Sequence, residues 1–417
     1  MNIAMISYHT CPLATLGGKD TGGMNVYVDQ LTRHLGQKGI HVDVFTRSQD
    51  EHVPYILHDL GYGNRVVHIP AGPEIYLPKR ELSRYIPEFA AGILDFSKEK
   101  KLHYDLIHSH YWMSGIVGIQ LKKVWQAPLI NMFHTLVQMK NRVARNENEI
   151  EGQYRLEGEM NVIQNADAII AATQAEKSQL EFLYQTNSKK IYIIPPGVNT
   201  SRFYPIAKDE AKSVINIPID QQMILFVGRI EPLKGLDVLL KALAILKDSG
   251  LFSFCPHYLA VIGGDTDISE PEMNVEMAHL QDLRKELCLE DLVVFLGKRS
   301  QDTLPYYYSA AEVVVMPSHY ESFGMVALEA MACGTPVIAS QVGGLAYLIQ
   351  DNVTGFVVPD DEPEGLANKI SMLLQDKNLR EKFGRQGAEY AKDYSWENIA
   401  DKVIDIYQNI FALNHSG

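Results

Sequence analysis

Glu321-Ser-Phe-Gly-Met-Val-Ala-Leu-Glu329 sets two carboxylates eight positions apart across a turn and the start of a helix. Ser322, Phe323 and Gly324 make the turn, and Met325 to Met331 are nearly all good helix formers. Eight helical positions would span roughly 12 Å, less whatever the turn takes up. Glu321 is then expected at the mouth of a helix and Glu329 two turns inside it. Between them the helix N-terminus, at Gly324, Met325 and Val326, offers unpaired N–H groups to an anion. A nucleotide-sugar requires such a set: one carboxylate for sugar hydroxyls, N–H groups for a diphosphate, a second carboxylate for ribose hydroxyls. The plainer alternative makes Glu329 a surface helix residue and Glu321 a cap. The doublet alone does not decide between them.

The flanking sequence supplies the architecture. Short β-branched runs alternate with helical stretches along the chain. Strands are predicted at Asn2–Ser7, His41–Arg47, Asp105–His108, Leu129–Phe133, Ala168–Ala172 and Ile191–Ile194. A second set is predicted at Met223–Val227, Tyr258–Gly263, Val293–Leu296, Val313–Met316 and Pro336–Ala339. Such alternation implies parallel sheets with right-handed crossovers. Two sets imply an α/β protein of two doubly wound, Rossmann-like domains. The breakers from Pro195-Pro-Gly-Val-Asn199 to Tyr204-Pro205 mark the border. The domains are therefore read as 1–197 and 198–394, with a terminal helix in 395–417. Ser395 can cap that helix, which runs to about Phe411 with an apolar stripe of Ile399, Val403, Tyr407 and Ile410. The polar stretch Lys140–Glu151 reads as a loop.

Composition narrows the classes. At 417 residues, two domains are the prior. Residues 1–195 carry 20 basic and 20 acidic side chains, so the net charge of −13 lies wholly beyond them. Nucleic acid and anionic lipid, which need basic surface, are unsuitable partners. No apolar run reaches the ~18 residues of a membrane span. Met1-Asn-Ile-Ala-Met-Ile-Ser-Tyr8 reads as a buried strand rather than a secretory leader. Cys11, Cys255, Cys288 and Cys333 lack paired or metal-type spacing and read as small buried hydrophobes in a reducing cytoplasm. The expected localisation is cytoplasmic.

In open parallel sheets ligands bind beyond the carboxyl ends of the strands, and most polar candidates here follow a predicted strand. Gly17-Gly-Lys-Asp-Thr-Gly-Gly23 follows the first strand and opens a helix near Asn25. There Gly22 and Gly23 let backbone N–H groups approach a phosphate; the alternative is a flexible turn. The pattern is not a G-x-G-x-x-G fingerprint, which disfavours an NAD enzyme. Arg229 and Lys234 follow another strand and can clamp a diphosphate, stabilising its charge as it leaves. Their alternative is a solvated charge pair with Glu231. Asp265-Thr-Asp267 has the spelling of a metal site, but no metal is expected.

Several motifs then fall in one order: Gly22-Gly-Met-Asn-Val-Tyr-Val28, His108-Ser-His-Tyr-Trp112, His134-Thr135, Gly228-Arg-Ile-Glu-Pro-Leu-Lys-Gly235, the glutamate doublet and Gly334-Thr-Pro-Val337. Over nearly the whole chain this order resembles the retaining glycosyltransferases of family 4, which have the GT-B fold of two Rossmann-like domains facing a cleft. The resemblance implies that Arg229 and Lys234 bind the donor diphosphate without a metal. It also implies that His134 lies under the transferred sugar, that Lys298 and Arg299 cover the uracil, and that the terminal helix crosses back onto the first domain. Lys79, Tyr111, Thr135 and Arg155 match the phosphate pocket of the branch that glycosylates D-inositol 3-phosphate, and Asn25 matches its polyol contact. Lys140-Asn141 continues that match. Two cations and two hydroxyls suit a phosphomonoester dianion. Sucrose-phosphate synthases share the framework but typically carry Gln in place of Met24-Asn25.

The expected activity is transfer of GlcNAc or glucose from a UDP-sugar to a phosphorylated small acceptor, inositol 3-phosphate first, with retention of configuration. His134, Arg229, Lys234 and Glu321 form the expected catalytic set. The glycine loop, Lys298, Arg299 and the residues from Glu321 to Val326 with Glu329 would hold the donor. No cofactor beyond the UDP-sugar is expected, and a homodimer is left open. The alternatives are sucrose-phosphate synthesis from UDP-glucose and fructose 6-phosphate, a glycolipid- or polysaccharide-building transferase, and a catalytically inert sugar-nucleotide binder. The last would be expected to lack a clamp cation or a glutamate, yet all four are present.

Overall fold

Strand order reverses once in each of two sheets. The first contains β1 (Asn2–Ile6), β2 (His41–Arg47), β3 (Ile56–Leu57), β4 (Arg65–Ile69), β5 (Leu106–His110), β6 (Leu129–Met132), β7 (Ala168–Ala171) and β8 (Ile191–Ile193), in the order β3-β4-β2-β1-β5-β6-β7-β8. Its pairs are parallel except β3 with β4. The second contains β9 (Gln222–Val227), β10 (His257–Ile262), β11 (Val293–Gly297), β12 (Val313–Met316), β13 (Val337–Ser340) and β14 (Gly355–Val358), in the order β11-β10-β9-β12-β13-β14. All its pairs are parallel. This computed structural model describes residues 1–15, 21–144, 147, 150–253, 257–264 and 275–415. Gly17, Gly18, Lys19 and Asp20, the Asp265/Asp267 pair and Cys255 lie outside them.

Apolar character on both faces explains the parallel sheets. Every residue of Leu129-Ile-Asn-Met132, Ala168-Ile-Ile-Ala171 and Val313-Val-Val-Met316 is buried, because crossover helices cover both sides. The helix Leu236–Asp248 shows how a crossover docks. Leu236, Leu239, Leu240, Leu243 and Leu246 recur every three or four positions and are all buried. Each such leucine contributes about 1.5–3 kcal/mol through burial.

The chain forms two compact units. Met1–Thr15, the chain on to Pro196 and Trp396 onward make one; Gly197–Ser395 makes the other. Where the chain enters and leaves the second unit, Val198 and Ser395 pair as a parallel bridge. The helix Trp396–His415 belongs to the first unit and packs on the helix Gly23–Gln37. Its predicted stripe of Ile399, Val403, Tyr407 and Ile410 is buried, joined by Trp396. The Trp396 ring meets Tyr27 edge-on at 5.3 Å, and the Tyr407 hydroxyl lies 2.7 Å from His108 Nδ1.

Several local expectations change. Strands β3, β4 and β14 were not predicted. Glu329 sits one turn, not two, inside the helix Met325–Ala332. The first residues of the predicted loop at Lys140–Glu151 finish a helix, Val137–Arg142. Among the described cysteines only Cys333 is buried; Cys11 is half-buried and Cys288 exposed.

Candidate functional site

Each unit gathers polar side chains where its strand order reverses. In the second unit that point lies between β9 and β12, so their exits are neighbours. After β9 the chain makes a single turn, Pro232–Lys234, and reaches Gly235 at φ +64°. A Cβ on Gly235 would stand 2.0 Å from the Pro317 carbonyl oxygen, so only glycine allows this approach. The His319 N–H donates to the Leu233 carbonyl at 2.9 Å and closes the same contact. Lys234 is thereby held beside the exit of β12, with its Nζ 2.5 Å from Glu321 Oε2. Arg229, more exposed, pairs with Glu231 at 2.9 Å. The charge pair considered from sequence is therefore real for Arg229, while Lys234 pairs with the first glutamate of the doublet.

The turn after Glu321 reaches Gly324 at φ +106°, where a Cβ would meet Leu345 Cδ2 at 2.5 Å. The helix Met325–Ala332 begins there, and the N–H groups of its first turn have no intrahelical acceptor. Half-buried Ser322, Met325 and Val326 line this end. Phe323 is buried against Tyr394, with ring centroids 6.0 Å apart, so its side chain is a packing anchor for the turn. Glu329 is only 7 % exposed, which removes the surface-residue alternative. The Tyr308 hydroxyl donates to its Oε2 at 2.8 Å, and Thr335 Oγ1 donates to the Tyr308 carbonyl at 2.6 Å. Burial pushes the Glu329 carboxyl up to about 7, against the opposing pull of that hydroxyl and of Arg202. Lys298 and Arg299 follow β11. Arg299 donates to the Tyr307 hydroxyl at 3.0 Å and to the Lys298 carbonyl at 2.9 Å, which folds it back onto its own segment.

In the first unit the order reverses between β1 and β5. Tyr111, just past β5, has φ +78°, and His134, just past β6, has φ +62°. Bulky residues adopt that region at a cost of order 1–3 kcal/mol each, and such strain clusters at functional positions. Four predicted residues from separate stretches meet here. Arg155 Cζ lies 5.0 Å and Lys79 Nζ 5.8 Å from the centroid of the Tyr111 ring. Arg155 Nη2 donates to the Thr135 carbonyl at 3.2 Å and to its hydroxyl at 3.3 Å. Arg155 is 2 % exposed and is braced by two glutamates: Nε to Glu159 at 3.0 Å and Nη1 to Glu151 at 3.2 Å. Both glutamates were missed from sequence, although their spacing of four on either side of Arg155 was a readable signal.

His134 closes a column of imidazoles. Its Nε2 lies 3.0 Å from His110 Nδ1, and the His110 ring is 4.3 Å from that of His108. His108 and His110 share one face of β5 because side chains alternate along a strand. Burial lowers His134 and His108 to about 3, so these rings stay neutral at ordinary pH. With Nε2 engaged, the Nδ1 atom of His134 is the one available to a ligand. That His110 backs His134 was not read from the motif.

Asn25 is fully buried, and its amide nitrogen donates to Thr10 Oγ1 and to the Cys11 carbonyl, both at 2.7 Å. Its Oδ1 accepts from the Gly22 N–H at 2.9 Å, the reach-back half of a capping box. Both amide hydrogens tie the exit of β1 to the helix Gly23–Gln37, and Asn25 positions the half-buried Gly22. A cavity of about 610 Å³ opens beside this junction, lined by His9, Thr10, Arg47, Gln49 and His68 among others. None of the predicted site residues lines it.

Comparison with known proteins follows the two units. The family described as Glycosyltransferase Family 4 matches residues 21–202, and Glycosyl transferases group 1 matches residues 207–390. A D-inositol 3-phosphate glycosyltransferase of Saccharomonospora viridis is 38% identical over 98% of this chain and 94% of its own. One from Catenulispora acidiphila, D-inositol 3-phosphate glycosyltransferase 2, is 39% identical over 97% and 94%. The solved sucrose-phosphate synthase of Thermosynechococcus elongatus superposes with a TM-score of 0.89 at 35% identity, covering 99% of both chains. Among the described residues no helix is long and apolar enough to cross a membrane. Two doubly wound units, matched in order and aligned over nearly their whole length, make this chain a glycosyltransferase of family 4 with the GT-B fold.

Proposed function

We propose that this enzyme moves GlcNAc or glucose from a UDP-sugar to a phosphorylated small acceptor, inositol 3-phosphate first, with retention and without a metal. The observation that carries the acceptor class is the meeting of Lys79 and Arg155 over the Tyr111 ring, with Thr135 hydrogen-bonded to Arg155. Two cations and two hydroxyls form a seat for a phosphomonoester. Relatives named for D-inositol 3-phosphate support the same reading.

In the second unit, Arg229 and Lys234 take the diphosphate with the N–H groups of Gly324 to Val326. Their charge stabilises the leaving UDP in place of a metal ion. Glu329 takes the ribose hydroxyls and Glu321 those of the sugar. Neutral His134 offers a hydrogen bond to the transferred sugar. The C1–O bond to the diphosphate breaks and the bond to the acceptor oxygen forms on the same face. The acceptor's proton passes to the departing phosphate.

Sucrose-phosphate synthesis remains a second reading, favoured by the likeness to the Thermosynechococcus enzyme. A UDP-release assay crossing UDP-GlcNAc and UDP-glucose with inositol 3-phosphate and fructose 6-phosphate separates them. The first reading predicts release chiefly with the inositol phosphate, and NMR of the product should show the donor's anomeric configuration. Release chiefly with fructose 6-phosphate would select the second, and an inverted product would defeat the retaining mechanism.

A further inference from the structure

The proposed phosphate seat already holds an anion. Glu151 Oε1 lies 2.6 Å from Lys140 Nζ and 3.2 Å from Arg155 Nη1. Its position is built rather than incidental. The Asn141 side chain donates to the Glu151 carbonyl at 3.1 Å, and its Oδ1 accepts from the Glu151 N–H at 2.8 Å. That two-bond clip fixes the Glu151 backbone as a neighbouring strand would. Lys140 and Asn141 thus act together, one on the carboxylate and one on the main chain.

Arg155 distinguishes its two glutamates. Glu159 is fully buried, also accepts from the Val137 N–H at 3.1 Å, and has the Tyr184 hydroxyl at its other oxygen. Glu159 is therefore a permanent brace, with every contact inside the fold. The Glu151 side chain is 21% exposed, and among the described residues its Oε1 pairs with Lys140 and Arg155. It stands where an incoming anion would meet Lys140 and Arg155. The cations around it, Lys140, Arg155 and more remotely Lys79, hold its carboxyl below the usual range despite burial.

We propose that Glu151 is a specificity-determining residue of this pocket, an internal carboxylate seated on Lys140 and Arg155 that only a more highly charged anion displaces. The proposal rests on the acceptor-phosphate reading above. A ligand carboxylate gains nothing by exchange, since it replaces like with like. A neutral hydroxyl cannot take over an ion pair. A phosphomonoester dianion brings more charge and three acceptor oxygens, and so can displace the Glu151 carboxylate. Selection for phosphate then comes from competition with a built-in rival as well as from attraction.

The test measures inorganic phosphate binding to the full-length chain by calorimetry, in wild type, Glu151→Gln and Arg155→Met. Glutamine keeps the shape and one acceptor oxygen but removes the competing charge. Phosphate should bind Glu151→Gln at least about tenfold more tightly than wild type. It should bind Arg155→Met more weakly than either. The same Glu151→Gln enzyme should show a lower KM for the phosphorylated acceptor, and its preference over a carboxylate-bearing sugar should shrink. If Glu151→Gln binds phosphate no better than wild type while Arg155→Met loses it, the seat stands but Glu151 is only a brace. If neither wild type nor Glu151→Gln binds phosphate, the proposal and the acceptor reading both fall. Glu151→Ala, which removes the side chain's bulk as well, should tighten phosphate binding in the same direction. Weakening there would equally overturn the competitor role.

Discussion

Lys234 and Glu321 lie 87 positions apart in sequence, yet Nζ and Oε2 are 2.5 Å apart. The contact joins the exits of β9 and β12, the two strands between which the order of the sheet reverses. It makes one of the proposed diphosphate cations the charge partner of the first glutamate of the doublet. Neither residue is spare: removing one leaves the other's charge without its partner.

The first prediction follows from that pairing. Lys234→Ala and Arg229→Ala should each lower kcat by about 10²-fold or more, as losing one transition-state donor does. Lys234→Ala should also raise KM for the donor, because Glu321 loses its orienting contact. Steady-state kinetics with saturating acceptor checks both. Turnover should persist in a chelator, since the cations are proposed to do the work of a metal.

Glu329 gives a pH prediction. Its carboxyl sits at about 7 because it is buried, so the free protein holds it largely protonated at pH 6. If the ionised form accepts both ribose hydroxyls, binding is linked to loss of that proton. Affinity for UDP should then rise about tenfold between pH 6 and pH 8. UDP's own phosphate titrates nearby, so the decisive quantity is the ratio to Glu329→Gln, which lacks the carboxyl. A ratio independent of pH would remove Glu329 from the ribose. The same shift runs the other way for folding. A carboxyl raised in the folded state contributes stability at low pH that is lost as pH rises from about 4.5 to about 7.

The fold was legible where burial dictates residue type. Val313-Val-Val-Met316 and His41–Arg47 carry enough β-branched and apolar character to be read directly. Arg65–Ile69 and Gly355–Val358 carry as much, but their flanks obscured them. One is pressed between Gly61-Tyr-Gly-Asn64 and Pro70, and the other opens on a glycine. They are strands because β2 and β13 hold them in register, which is a tertiary effect. At the site, residue types were readable but not their commitments. Nothing in the letters shows that both amide hydrogens of Asn25 are spent on Thr10 and Cys11, or that Glu329 is buried under Tyr308. The Glu151–Arg155–Glu159 spacing was visible, and only the structure separates a fully buried Glu159 from a partly exposed Glu151.

His134 should show no titration in turnover. Its ring is held neutral, with a value near 3 produced by burial, and its neighbour His110 is lowered as well. A pH–rate profile of the Glu329→Gln enzyme should therefore lack a histidine limb between pH 5.5 and 7.5 (roughly the range in which free imidazole titrates). His134→Asn, which tolerates the positive φ and keeps a polar group, should retain more activity than His134→Val, whose branched Cβ opposes that backbone.

Arg155 is also a stability residue. Replacing it by Met leaves Glu159 fully buried without its cation, a loss of about 3–5 kcal/mol for a broken buried pair. Burial already raises the Glu159 carboxyl above the usual range, and losing Arg155 raises it further. The variant should be nearest to wild type in Tm at low pH and fall behind as pH rises, because the neutral carboxyl is the form the fold tolerates. Thermal melts at pH 5 and pH 8 check the direction.

The central claim is that the pocket around Tyr111 receives a phosphate on the acceptor. The most direct measurement is the ratio of kcat/KM for inositol 3-phosphate to that for inositol, with one UDP-sugar donor, in wild type and in Arg155→Lys. A buried, doubly cationic seat built for a dianion should favour the phosphate by about 10²-fold or more in wild type. Lysine keeps the charge but loses the two-pronged hold, so the ratio should narrow. Equal kcat/KM for the two acceptors in wild type would contradict the account.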